Sequence, residues 1–163
     1  MKHLFLVHIE QVNEQESMEL QELKRRKLAE SASIIQSYLG QLAPLLLSGD
    51  DPISVQASTV FAENFQTKLE YHEALGRGGE GELGHLPGIE RFAQIRRMME
   101  ELEKRKPEAV IVVMDSLLIP PCIGWWLMLP SEHIEQLDVS MEVGSLTYLN
   151  INKTGDRALH ACL

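Results

Sequence analysis

Two short runs hold the side chains of this chain best suited to chemistry. His8-Ile9-Glu10 follows the apolar stretch Leu4-Phe5-Leu6-Val7, and Asp115-Ser116 follows the apolar residues 109–114. Each places an ionisable group directly after a segment that reads as a buried strand. In open α/β sheets, ligands sit beyond the carboxyl ends of the strands. The imidazole of His8 and the carboxylates of Glu10 and Asp115 are suitable metal ligands, or the makings of a general acid–base pair. The plainer expectation is a solvated cleft in which His8 pairs with an acid. Ser116, His8 and Asp115 are the residue types of a hydrolytic triad, but no Gly-x-Ser-x-Gly elbow surrounds the serine. Glu63, Glu80, Glu82 and His85 lie in or near a glycine-rich stretch, residues 76–88, which reads as a solvated loop. Its glycines lack the Gly-Lys-Ser/Thr ending of a phosphate loop. His72, His133 and His160 have no partner spacing and read as ordinary surface or edge residues.

Hydrophobic periodicity suggests the elements that must position these residues. Residues 4–7 form a wholly apolar strand, expected at the centre of a sheet covered on both faces. Leu28, Ala32, Ile35, Leu39 and Leu42 recur at helical steps, which predicts a helix over 18–42 closed by Pro44. Leu45-Leu46-Leu47 reads as a short apolar turn of helix, and residues 53–57 as a weak second strand. Val60, Ala62, Phe65 and Leu69 then suggest a helix from Thr59. The cleanest helix covers 89–105, with the stripe Ile89, Phe92, Ile95, Met99 and Leu102, and Pro107 closes it. Residues 109–114 are an uninterrupted apolar, β-branched run, the pattern of a central parallel strand. Residues 120–129 read as a helix with prolines in its tolerant first turn. A polar helical turn at 130–133 and strands at 139–143, 146–150 and 157–162 complete the chain. Alternating helices and apolar strands indicate an α/β fold.

Composition narrows the function classes. At 163 residues and 44% apolar content, the chain is long and apolar enough for one ordinary domain, expected over 1–163. Lysine and arginine total 15 against 24 aspartates and glutamates, a formal charge of −9, which argues against nucleic acid and anionic membranes as partners. The basic run Lys24-Arg25-Arg26-Lys27 sits in a helical pattern and reads as a solvated face rather than a docking site. Cys122 and Cys162 have no metal or redox spacing and are expected as reduced thiols of a cytoplasmic protein. No signal peptide is visible, and the apolar run 117–130 is too short to span a bilayer. No cofactor is expected.

In order and spacing the chain resembles the histidine phosphatase superfamily, the phosphoglycerate-mutase-like fold, most of all its short single-domain bacterial members. Leu4-Phe5-Leu6-Val7 matches the family's first strand, and His8-Ile9-Glu10 falls where the family has Arg-His-Gly. The helix through Leu28, Ala29 and Ile35 matches its first helix. Residues 53–58 lead to Phe61 at the position of the family's second arginine, with Ala62 after it. Val110-Ile111-Val112-Val113 then Met114-Asp115-Ser116 falls where the family has an apolar strand and Ser-His-Gly, and Leu127-Met128-Leu129-Pro130 ends the following helix. Gly144-Ser145-Leu146-Thr147 resembles the family's approach to its edge strand. The resemblance implies a three-layer α/β/α domain whose central sheet is mostly parallel with an antiparallel edge strand.

It also implies what the chemistry would lack. The family's nucleophile is a histidine, and its phosphate is held by arginines and a second histidine. The matching positions here are Ile9, then His8 and Phe61, then Asp115. Ile9 has no lone pair, and loss of a single transition-state donor typically costs about 3 kcal/mol. The resulting expectation is a catalytically degenerate protein without phosphohistidine chemistry, serving a regulatory or protein-interaction role. The alternative is an enzyme with reworked hydrolase or phosphatase chemistry, metal-assisted or not, using His8, Glu10 and Asp115. Trp125 and Trp126 are adjacent in a helix and point about 100° apart. One should pack on the sheet, and the other is a candidate interface residue for a protein partner or a homodimer.

Overall fold

The computed structural model describes residues 1–10, 17–76, 88–134, 136–137, 142 and 144–162. In chain order it contains β1 (His3–Ile9), α1 (Met18–Leu39), β2 (Leu45–Ser48), α2 (Pro52–Phe65), β3 (Leu69–Tyr71), α3 (Gly88–Arg105) and β4 (Ala109–Asp115). These are followed by α4 (Ile119–Trp126), α5 (Ser131–Ile134), β5 (Leu146–Ile151) and β6 (Arg157–Cys162). Short 3-10 turns occupy Glu73–Leu75 and Ser116–Leu118.

All strands join one six-stranded sheet in the order β3-β2-β4-β1-β5-β6. β3, β2, β4 and β1 run parallel, and β5 and β6 form an antiparallel pair at one edge. The all-apolar runs follow from helices lying on both faces. Along β1 and β4, Leu4, Leu6, Val110 and Val112 pack against α3 and α4, through Ile95, Met98, Met99, Cys122 and Trp126. The alternate residues Phe5, Val7, Ile111 and Val113 pack against α1 and α2, through Leu28, Ile35, Ala57 and Phe61. Among the described residues no helix is long and apolar enough to cross a membrane.

Two expectations about residues 45–60 need correction. Leu45-Leu46-Leu47 is not a turn of helix but most of β2, with Leu46 and Leu47 buried between β3 and β4. Residues 53–57 are not a strand but the first turns of α2. Asp51 caps that helix, its Oδ1 accepting from the Ser54 N–H at 3.0 Å, and Pro52 occupies the tolerant first turn. The local signal was a proline behind an aspartate, a helix start, which the β-branched residues Ile53 and Val55 obscured. Helix α1 also stops earlier than expected, at Leu39, where Gly40 takes φ +59°. All of the expected strand over 139–143 except Glu142, which is not in a strand, lies outside the described residues, as does most of the glycine-rich stretch.

The antiparallel pair is tied to α1 through Gly144, which has φ +77° and lies so close to Lys27 that a Cβ there would sit 2.8 Å from the Lys27 Cβ. Only glycine meets both demands at low cost. The Gly144 carbonyl accepts from the buried Ser31 hydroxyl, and Lys27 pairs with Glu142 at 2.7 Å.

Candidate functional site

The carboxyl ends of β1, β2 and β4 meet at one edge of the sheet, and the register there decides which side chains can cooperate. His8 lies opposite Met114 and Ile9 opposite Asp115. Since side chains alternate along a strand, His8 faces the α3/α4 layer and Ile9 the α1/α2 layer. Asp115 shares the face of Ile9. The sheet therefore separates His8 from Asp115, and His8, Glu10 and Asp115 do not assemble as a metal centre. Among the described residues no group of three or more histidine, cysteine, aspartate or glutamate side chains is placed to hold a metal ion.

His8 is 2% exposed. Its Nδ1 lies 3.0 Å from the Glu142 carbonyl oxygen. A carbonyl only accepts, so Nδ1 carries a proton and donates it there. Nε2 is buried and has no hydrogen-bond partner among the described residues. The backbone of His8 also bonds this segment, its N–H donating to Ser145 O and its carbonyl accepting from Gly144 N. His8 thus anchors the approach to β5 rather than pairing with an acid.

Asp115 caps the 3-10 turn that follows β4. Its Oδ1 accepts from Leu117 N–H at 3.0 Å and from the Ser116 hydroxyl at 3.4 Å. Ser116 is therefore turned toward its own neighbour, and no Ser–His pair forms. Asp51 performs the same service for α2, and Ser17 for α1, its Oγ accepting from Leu20 N–H at 3.3 Å. One N–H donor at each of these starts, that of Leu117, Ser54 and Leu20, already binds the chain's own side chain. An anion arriving here is met by cationic side chains as well.

Those cations stand in a groove of about 560 Å³ between α1 and α2, over the end of β1. Ile9 and Leu28 form its floor, with Ile53 and Val60 on the α2 wall. Arg25 and Lys24 project from α1, and Glu10 enters from the end of β1. Arg25 is exposed and makes no hydrogen bond or ion pair among the described residues. The volume is within the range of small-molecule sites. Of the candidates from the sequence, Ile9, Glu10 and Glu63 line this groove and His8, Asp115 and Ser116 do not; Glu63 stands on α2 rather than in the expected loop. The sequence expectation for Arg25 and Lys24 is a solvated face, and the structure puts them on the groove instead. Their spacing from Gln21 and Leu28, three and four residues apart along α1, is the signal that puts them on the groove stripe.

Phe61 is 0% exposed on the third turn of α2, in the core against β2 and β4, and not at the sheet edge. Helix α2 begins at Pro52, seven residues before the expected Thr59, and this places Phe61 deep in the helix rather than at its start. Trp126 is 1% exposed and belongs to the core on the α3/α4 face. Trp125 is half-buried, with the Arg157 guanidinium 4.7 Å from its ring centroid. That cation also reaches the Trp126 ring and donates to Glu103.

No protein-family model and no curated protein sequence matches this chain. Solved structures do. A mycobacterial glucosyl-3-phosphoglycerate phosphatase, in a structure holding VO3, superimposes with a TM-score of 0.74 at 17% identity, covering 99% of this chain and 98% of its own. A protein described as mycobacterial hydrolase 1 gives 0.73 at 18% identity, over 98% and 97% of the two chains. A putative α-ribazole-5'-phosphate phosphatase from Escherichia coli gives 0.72 at 10% identity, over 99% and 96%. These neighbours correct the expectation of a protein that has lost its chemistry and turned to regulation. The structures sharing its fold over nearly the whole length include phosphatases, and the alternative, reworked phosphatase chemistry, fits them better. In fold, the chain is phosphoglycerate-mutase-like, the architecture of the histidine phosphatase superfamily.

Proposed function

We propose that this protein hydrolyses phosphate monoesters in the groove between α1 and α2. The observation that carries the reading is the groove itself: at the carboxyl end of β1, in a fold shared with phosphatases, it combines a guanidinium that has no partner among the described residues with a carboxylate. Arg25, supported by Lys24, holds the phosphoryl oxygens, a role suited to the planar fork of arginine. Glu10 takes the proton from a water that attacks phosphorus. The ester P–O bond breaks as the water oxygen bonds, the proton taken by Glu10 passes to the departing alkoxide oxygen, and the products are inorganic phosphate and the alcohol. Ile9, a hydrocarbon beneath Glu10, cannot form a covalent phosphoryl intermediate, so the reaction is a direct transfer to water. His8 and Asp115 support the site by holding Glu142, Gly144 and Ser145 and the turn after β4.

The test is release of inorganic phosphate from a panel of monoesters by the purified protein. Glu10→Gln is expected to lower kcat by roughly 10²–10⁴-fold. Arg25→Ala is expected to raise KM with a smaller effect on kcat. Wild-type protein that releases no phosphate above background, or variants that release it at the wild-type rate, would refute the proposal.

A further inference from the structure

The groove joins an apolar floor and α2 wall to polar and charged groups, Gln21, Gln56 and Thr59 among them, and it contains no aromatic ring among its described lining residues. Ile9 and Leu28 are almost fully buried at its floor, and Ala57 and Val60 continue the apolar wall along α2. Met18 adds an exposed thioether from the first turn of α1. Sugars are commonly held on aromatic faces, which the described lining does not supply. Its charges are equally selective. Glu10, Glu22 and Glu63 face Lys24 and Arg25, so the lining is one charge negative before a ligand arrives. One phosphate can be met by the two cations. A second phosphate or a carboxylate on the same ligand would meet carboxylates.

We infer that the preferred ligand is a monophosphate ester of an aliphatic alcohol, with the phosphate on Arg25 and Lys24 and the chain lying along Leu28, Ile53 and Val60. This deepens the phosphatase reading and rests on it for the hydrolytic step, though not for binding. A substrate's alkyl chain leaves water as it enters such a wall. Affinity should therefore rise with chain length, by about fourfold per buried methylene.

Two measurements test this with the whole protein. Binding of ethyl, butyl, hexyl and octyl phosphate is measured by calorimetry, below the concentrations at which the longer esters form micelles. Phosphate release is measured on the same series, and on glucose 6-phosphate and 3-phosphoglycerate. The expected result is a steady gain in affinity and in kcat/KM along the series, with the phosphorylated sugar and the phosphorylated acid at or below ethyl phosphate. Val60→Thr, which keeps the side chain's shape, should lower the octyl-to-ethyl ratio. Ile53→Asn should lower it further. A flat series, or preference for either polar ester, overturns the inference and leaves the phosphatase reading in place. A rising binding series without phosphate release supports the ligand class and overturns the phosphatase reading. Neither binding nor release overturns both.

Discussion

Placing arginine at Phe61 and, separately, at Ile53 gives opposite expected outcomes. The family resemblance implies that Phe61 stands where a phosphate-holding arginine would be. In the structure the ring is 0% exposed and packs in the core formed with Ala57, Leu46 and Ile111. Removing such a ring costs about 3–5 kcal/mol. Burying an unpaired guanidinium in its place adds several kcal/mol more. The sum reaches the whole stability of an ordinary domain, roughly 5–15 kcal/mol. Phe61→Arg should therefore fail to fold. Ile53 sits in the first turn of α2 and faces the groove, two residues after the Asp51 cap. A cation there opposes the helix dipole by about 0.3–1 kcal/mol. Ile53→Arg should therefore stay folded, and it should bind inorganic phosphate more tightly than wild type by adding a third cation to the groove. Urea unfolding followed by circular dichroism and by the fluorescence of Trp125 and Trp126 separates the two variants, and calorimetry reads the phosphate affinity. A Phe61→Arg protein with a wild-type unfolding midpoint would refute the placement of α2, as would an unfolded Ile53→Arg.

Other predictions concern the framework. Trp126→Ala removes a core ring and should lower stability by about 3–5 kcal/mol, a drop in Tm of roughly 6–20 °C for a chain of this length. Light scattering should give the same mass for the wild type and the variant; a change in mass at unchanged Tm would mean Trp126 belongs to an interface instead. Arg105 forms a two-pronged contact with Glu70, at 2.8 and 3.0 Å, and this hydrogen bonding holds the Glu70 carboxyl below the usual carboxylate range. The pair's contribution is present above the ordinary glutamate pKa of about 4.3 and is lost as pH falls through the depressed value. Because both groups are substantially exposed, it is worth at most about 1 kcal/mol. Glu70→Gln should remove that part of the acid destabilisation between pH 6 and pH 3, and parallel urea midpoints for both proteins would count against it. Burial lowers the His3 pKa, against the opposing charge of Glu108, while Nδ1 shares a 2.7 Å hydrogen bond with the Tyr148 hydroxyl. Its contribution is complete above the ordinary histidine pKa of about 6.5 and fades as pH falls through the lowered value. His3→Gln should flatten the Tm profile on the acid side of neutrality, and an unchanged profile would refute this.

Much of the framework can be read from the residues themselves. β1 and β4 are continuous apolar runs because both of their faces are covered, and that condition leaves its mark in every side chain. α1 and α3 carry stripes long enough to show a helical period. These elements also locate the carboxyl ends of β1 and β4, where Ile9, Glu10 and Asp115 stand. Four apolar residues such as 45–48 have no measurable period, and only their neighbours β3 and β4 make them a strand. The same ambiguity hides the start of α2 at Pro52, and with it the place of Phe61 in the core. The sorting at the sheet edge depended on tertiary structure too. His8 and Ile9 are adjacent in sequence, but the pleat sends them to opposite faces, and the packing of α1 against α2 brings Arg25 to a carboxylate fifteen residues before it. Local pattern reports how much of a side chain is covered; which distant side chain covers it is set by the packing of elements far apart in the chain.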